Sequence, residues 1–130
     1  MDKFRKYTSE ETDKINIFES KIIRMSNDSN HNIVFVVDWL EGDNVIIVFN
    51  NVSNIIYDLK RNFAYEKELI GQLEIRGFSY KQKKGSYIVQ FNFDTELFGV
   101  IRITCKTFAF LVPSEPITSG GNDKMLLLEI

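Results

Sequence analysis

A single cysteine, Cys105, excludes any disulfide within the chain. With only one histidine, His31, several Cys and His ligands cannot be gathered into a zinc site. Ser-His or Cys-His nucleophilic chemistry would have to pass through that same imidazole. Alanine, the best helix former, occurs only at Ala64 and Ala109. No apolar run approaches the ~20 residues of a membrane helix, and the charged start shows no secretory signal. Gly120-Gly121 precedes no helix pattern, so nothing resembles a phosphate-cradling loop. Sixteen basic against eighteen acidic residues leave a net charge of −2, which argues against a chain devoted to gripping nucleic acid. The expectation is a cytoplasmic, reduced protein, in which the sequons at Asn27 and Asn51 carry no glycan.

What is present points to β structure. Isoleucine, valine and eleven phenylalanines dominate the apolar set, and such side chains suit a half-buried pleated surface. The 130 residues fit one domain able to bury about two-thirds of its extended surface. Residues 1–14 are polar, with Thr8-Ser9-Glu10-Glu11 fitting a capping box and at most one short helix following. Residues 16–25 read as a first strand, bulged near Ser20, and residues 27–32 as a turn cluster. Residues 33–40 and 45–49 are apolar on both faces and flank Glu41-Gly42-Asp43-Asn44, so they read as a hairpin of central strands. Residues 52–59 read as a third neighbouring strand, and residues 60–71 fit a short helix or an irregular crossover. Further strands are expected over residues 73–80 with a bulge at Gly77, over the alternating Tyr87, Val89, Phe91 and Phe93, and over a long run from Phe98 to Val112. Residues 113–124 read as a mobile loop and residues 125–130 as a final edge strand. The expected architecture is mainly β: an antiparallel sandwich or partly open barrel of about seven to eight strands, with at most one or two short helices.

Two clusters invite functional readings. The hairpin tip sets Asp38, Glu41 and Asp43 beside the only tryptophan, Trp39. Carboxylates could steer a basic partner while the aromatic anchors it; the plain alternative is a solvated turn with a core tryptophan. The spacing lacks the dense oxygen-ligand pattern of a calcium loop, so no metal is expected. Lys81, Lys83 and Lys84 between Tyr80 and Tyr87 could stack bases and neutralise phosphates, but lysines also protect strand edges from aggregation. Cys105 reads as a small buried hydrophobe and His31 as an exposed turn residue. Nothing signals catalysis or a cofactor, although a carboxylate acid–base pair depends on distances that sequence does not supply.

The segments Trp39-Leu40-Glu41-Gly42, Val48-Phe49-Asn50-Asn51-Val52, Gly85-Ser86-Tyr87-Ile88-Val89 and Gly99-Val100-Ile101-Arg102-Ile103 form a pattern of strands and turns over residues 33–112. This pattern resembles small bacterial β-rich immunity proteins encoded beside polymorphic or contact-dependent toxins. The resemblance implies a non-catalytic cytoplasmic protein that binds a cognate toxin, here a basic one meeting Asp38, Trp39, Glu41 and Asp43. The alternative is a small-molecule binder whose sandwich or barrel encloses an aromatic-lined cavity. Exposed edge strands leave pairing of two copies open.

Overall fold

The computed structural model describes residues 4–61, 73–94 and 97–113. They form two antiparallel sheets and one short 3-10 helical turn, Ser9–Lys14. The strands are β1 (Phe4–Thr8), β2 (Lys21–Asn27), β3 (Ile33–Asp38), β4 (Val45–Asn50), β5 (Asn54–Arg61), β6 (Leu73–Glu74), β7 (Gly77–Lys83), β8 (Ser86–Asp94), β9 (Leu97–Cys105) and β10 (Thr107–Pro113). One sheet runs β1-β10-β4-β3-β2-β6 and the other β5-β9-β8-β7, a sandwich-like arrangement not closed into a barrel.

The phenylalanines hold the sheets together. Phe35, Phe49, Phe108 and Phe110 project from the six-stranded sheet and are essentially inaccessible, as is Phe91 from the opposite one. Ring centroids lie 5.0 Å apart for Phe35–Phe49, 5.6 Å for Phe35–Phe91 and 6.1 Å for Phe49–Phe91. Phe78 reaches across to Phe110 at 5.4 Å. Edge-to-face and tilted pairs of this kind add to what their area burial already contributes.

The hairpin of β3 and β4 forms as the apolar runs and polar tip predict, and both strands lie inside their sheet. The turn at residues 27–32 also forms: Asp28 Oδ1 accepts from the amides of Asn30 (2.8 Å) and Asn32 (3.0 Å), and His31 takes a φ of 63°. Lys84 and Gly85, with φ of 50° and 79°, join β7 to β8 in a two-residue loop whose Lys83 and Ser86 are partners. Positive φ at both central residues matches the right-handed twist of the strands.

Several elements differ from the sequence reading. The polar N-terminal segment contributes an edge strand, β1, paired with β10. An edge strand needs only one partner and one half-buried face, so it carries little apolar alternation. The 3-10 turn then docks through buried Ser9, whose hydroxyl donates to the Phe108 carbonyl (2.8 Å) and accepts from the Phe108 amide (3.2 Å). The capping box forms in part through Glu11, whose Oε1 accepts from the Thr8 amide at 3.1 Å. The first strand of the 16–25 segment begins only at Lys21, with its irregularity between Ile22 and Arg24, because residues 15–20 loop inward to bury Ile17 and Ser20.

The expected third neighbour of the hairpin, β5, instead lies in the other sheet and pairs with β9. The switch occurs over adjacent residues: the Val52 amide donates to His31 beside one sheet and the Ser53 amide to Thr104 in the other. The run from Phe98 to Val112 likewise breaks at Lys106 into β9 and β10, one per sheet. Residues 73–83 divide at Ile75 and Arg76, whose amides donate to Ser20 and Asn92 respectively. Gly77 begins β7 and is not a bulge. These divisions, together with β1, raise the count to ten strands among the described residues. Of residues 60–71, Lys60 and Arg61 continue β5; the expectations for the rest of that segment, for the loop beyond 113 and for a strand at 125–130 lie outside the described residues.

Candidate acidic binding face

The hairpin tip is held from beneath. Trp39, half-buried, packs on the core, and its indole N–H donates to the Asn16 carbonyl at 2.7 Å. Gly42 folds under the ring: a Cβ there would stand 3.2 Å from Trp39 Cε3. The Leu40 amide donates to Oγ of buried Ser20 at 3.1 Å, tying the tip to the 15–20 loop. Trp39 therefore acts as a buttress, and the apolar side chain left in solvent is Leu40, 69% exposed. Asp38 and Glu41 are exposed and Asp43 is partly so.

The structure extends this acidic surface with residues that sequence reasoning did not single out. Across β2, Asp38 is the register partner of Lys21, and Lys21 is the partner of Glu74 on β6. Glu74 belongs to a cluster around Arg76. Arg76 Nη1 lies 2.9 Å from Glu74 Oε2 and 3.5 Å from Glu19 Oε2, and its Nε lies 3.0 Å from Asp94 Oδ1. Its guanidinium also stands 5.1 Å from the ring centre of Phe18, which is 46% exposed. The hydrogen bond to Glu74 is the main influence holding the Arg76 pKa above its ordinary value. One guanidinium among three carboxylates leaves the cluster net negative.

Asp38, Glu41, Asp43, Glu19, Glu74 and Asp94 thus gather at one end of the sandwich, against Lys21 and Arg76, with Phe18 and Leu40 exposed among them. Beside Phe18 a depression of about 320 Å³ runs between the 3-10 turn and β7, lined by Asp13, Asn16, Ile75 and Phe78 among others. Exposed ion pairs add little to stability, but charges of one sign focused at one end steer an approaching partner. No sequence motif signalled this grouping, because Glu19, Glu74 and Asp94 sit on three separate segments that only the sheet switch at Arg76 brings together.

The basic turn lacks the geometry of the base-stacking alternative. Tyr80 and Tyr87 point between the sheets, 5.2 and 5.4 Å from Phe108, while Lys81 and Lys83 alternate to the opposite face. The Tyr80 hydroxyl donates to Asp13 at 3.2 Å, and its pKa is raised, first by burial and then by that carboxylate. The rings and the ammonium groups therefore do not share one platform. Cys105 faces the core from β9, with burial pushing its thiol up to about 12. His31 lends its backbone carbonyl to Val52.

Among the described residues, no group of three or more His, Cys, Asp or Glu is placed to hold a metal ion. Nor is any helix there long and apolar enough to cross a membrane. No family model, curated protein or solved structure matches the chain.

Proposed function

We propose that the protein is a non-catalytic binding module whose acidic end receives a basic protein partner, and that it serves as a cytoplasmic immunity protein neutralising a bacterial toxin. The observation that carries this reading is the gathering of Asp38, Glu41, Glu19, Glu74 and Asp94 around exposed Phe18 and Leu40. Apolar anchors within a rim of like charge fit an interface in which charge sets the association rate and a few buried side chains set the lifetime. The interlocked phenylalanines favour this reading over a ligand-enclosing sandwich, because the aromatics that would line a cavity fill the space between the sheets with one another.

The test begins with a tagged pull-down at low salt to isolate a stoichiometric partner, followed by association kinetics. Reversing Asp38, Glu41 and Asp43 to lysine should slow association about tenfold or more at low ionic strength and flatten its salt dependence. Leu40→Asp should instead accelerate dissociation. Rates unchanged in both variants would remove this face from the interface.

A further inference from the structure

The four-stranded sheet carries a depression of about 450 Å³ toward its β7 edge, lined by Ser79, Tyr80, Lys81, Ile88, Gln90 and Arg102. Ser79 and Lys81 alternate with Phe78 and Tyr80, which pack on the core. Ile88 and Gln90 alternate with buried Val89 and Phe91, and Arg102 lies between buried Ile101 and Ile103. These five side chains therefore project from the outer face of the sheet. Register sets Ser79, Gln90 and Arg102 in one row across β7, β8 and β9, with Lys81 and Ile88 in the next. Gln90 Oε1 accepts from both Nε (3.0 Å) and Nη2 (2.8 Å) of Arg102, and Gln90 Nε2 donates to Asn92 Oδ1 at 2.9 Å. This relay holds the guanidinium side-on to Gln90. Its outer fork, formed by Nη1 and the second N–H of Nη2, has no acceptor among the described residues.

We propose that this depression binds a small molecule through a phosphate monoester group, with the Arg102 fork and the Lys81 ammonium as its partners and the Ser79 hydroxyl as a further donor. Neither cation has an ion pair among the described residues, and no carboxylate lines the depression. Arg76 differs in both respects, with three carboxylates around it. Two uncompensated positive charges match a phosphate monoester, which carries a charge of about −2 at neutral pH, better than a singly charged carboxylate. A planar N–H fork suits two oxygens of one phosphate, and the ammonium and hydroxyl reach it from a different strand. Ile88 leaves an apolar patch in the floor for the organic part of the ligand. Lys81 lies about 17 Å along β7 from Arg76 and its carboxylates, with Lys83 and Lys84 beyond it, so the potential along this strand turns toward positive at the site. A long polyanion suits the surface less well, because the whole chain carries a net charge of −2 and Tyr80 and Tyr87 turn inward instead of offering rings to bases.

The test titrates the full chain with phenyl phosphate at pH 7 and constant ionic strength, followed by proton–nitrogen NMR. Saturable shifts are expected at the Ser79, Lys81 and Gln90 amides and at the Arg102 Nε–H, with the Trp39 indole N–H unmoved. Arg102→Gln should weaken binding about tenfold or more, the scale of a lost hydrogen bond to a charged group. Lys81→Gln, at an exposed position, should also weaken it and keeps the proposal testable if the arginine variant fails to fold. Gln90→Leu leaves both charges in place and removes the acceptor that aims the fork, so its affinity should fall while its charge does not change. Benzoate, of similar shape and one charge, should bind several-fold more weakly than phenyl phosphate. Absent or unsaturable shifts, or affinity unchanged in both Arg102→Gln and Lys81→Gln, would overturn the proposal and leave an adventitious ion only. Equal affinity for benzoate would overturn it in favour of a carboxylate ligand. A single-stranded oligonucleotide that binds more tightly than phenyl phosphate, with shifts spreading over Lys83 and Lys84, would overturn it in favour of nucleic acid.

Discussion

Gly99 is the position where one added carbon should do the most damage. It sits in β9 opposite Leu59 with a φ of 127°, a conformation that side chains rarely adopt. A Cβ built there would lie 2.0 Å from the Asp58 carbonyl oxygen and 3.1 Å from its carbon. Both atoms are backbone, so no rotamer change relieves the contact; β5 and β9 must separate or Gly99 must change its φ. Holding a non-glycine residue in such a conformation costs about 1–3 kcal/mol. Parting the strands locally forfeits one or two hydrogen bonds of about 1 kcal/mol each. Gly99→Ala should therefore lose about 2–5 kcal/mol. With a urea m-value of about 2 kcal/mol/M, the midpoint should fall by roughly 1–2.5 M. Gly85→Ala supplies the control: its φ is also positive, at 79°, but a Cβ there meets nothing within 4 Å. Only the left-handed cost of about 1–2 kcal/mol applies. A Gly99→Ala loss no larger than that of Gly85→Ala would refute the close-approach reasoning.

Ser9→Ala should cost about 2 kcal/mol, because it strips both the Phe108 amide and carbonyl of their buried partner; urea melts and faster exchange of the Phe108 amide check this. Trp39→Phe should cost about 1 kcal/mol through loss of the bond to Asn16, read as a lowered melting midpoint. Asp28 has its pKa lowered by the amides of Asn32 and then Asn30, so its contribution is in place above the ordinary value of 3.8 and is lost as pH falls through the lower folded value. The stability gap between Asp28→Asn and the native chain should accordingly close on acidification, with carboxyl NMR giving the titration directly. Cys105 should resist an aromatic disulfide reagent at pH 8 in the native state and react once urea unfolds the chain, since its thiol is pushed up to about 12.

The sequence by itself determined the β class, the β3–β4 hairpin, the Asn-rich turn and the inward set of β8. Each follows from contacts between near neighbours: alternation sets which side chains share a face, and Asn, Asp and Gly tolerate the backbone of tight turns. It also held an unread sign of the sheet switches. The inward residues are Ile101, Ile103 and Cys105 before Lys106, and Phe108, Phe110 and Val112 after it. The same one-residue shift separates Leu73 and Ile75 from Phe78 and Tyr80. Read as one long strand or as a bulge, such a shift conceals a chain passing from one sheet to the other.

Tertiary structure alone decided which sheet each strand joins, that the five-residue segment Phe4–Thr8 becomes the edge strand β1, and that Arg76 draws Glu19, Glu74 and Asp94 together. Strand partners far apart in the chain are chosen by the burial of a whole face, a sum over residues that no local window contains. The acidic end follows from the same cause. Its carboxylates lie on separate loops and strand ends, and they become neighbours only because interlocked phenylalanines bring two sheets, and the crossings between them, to a fixed place.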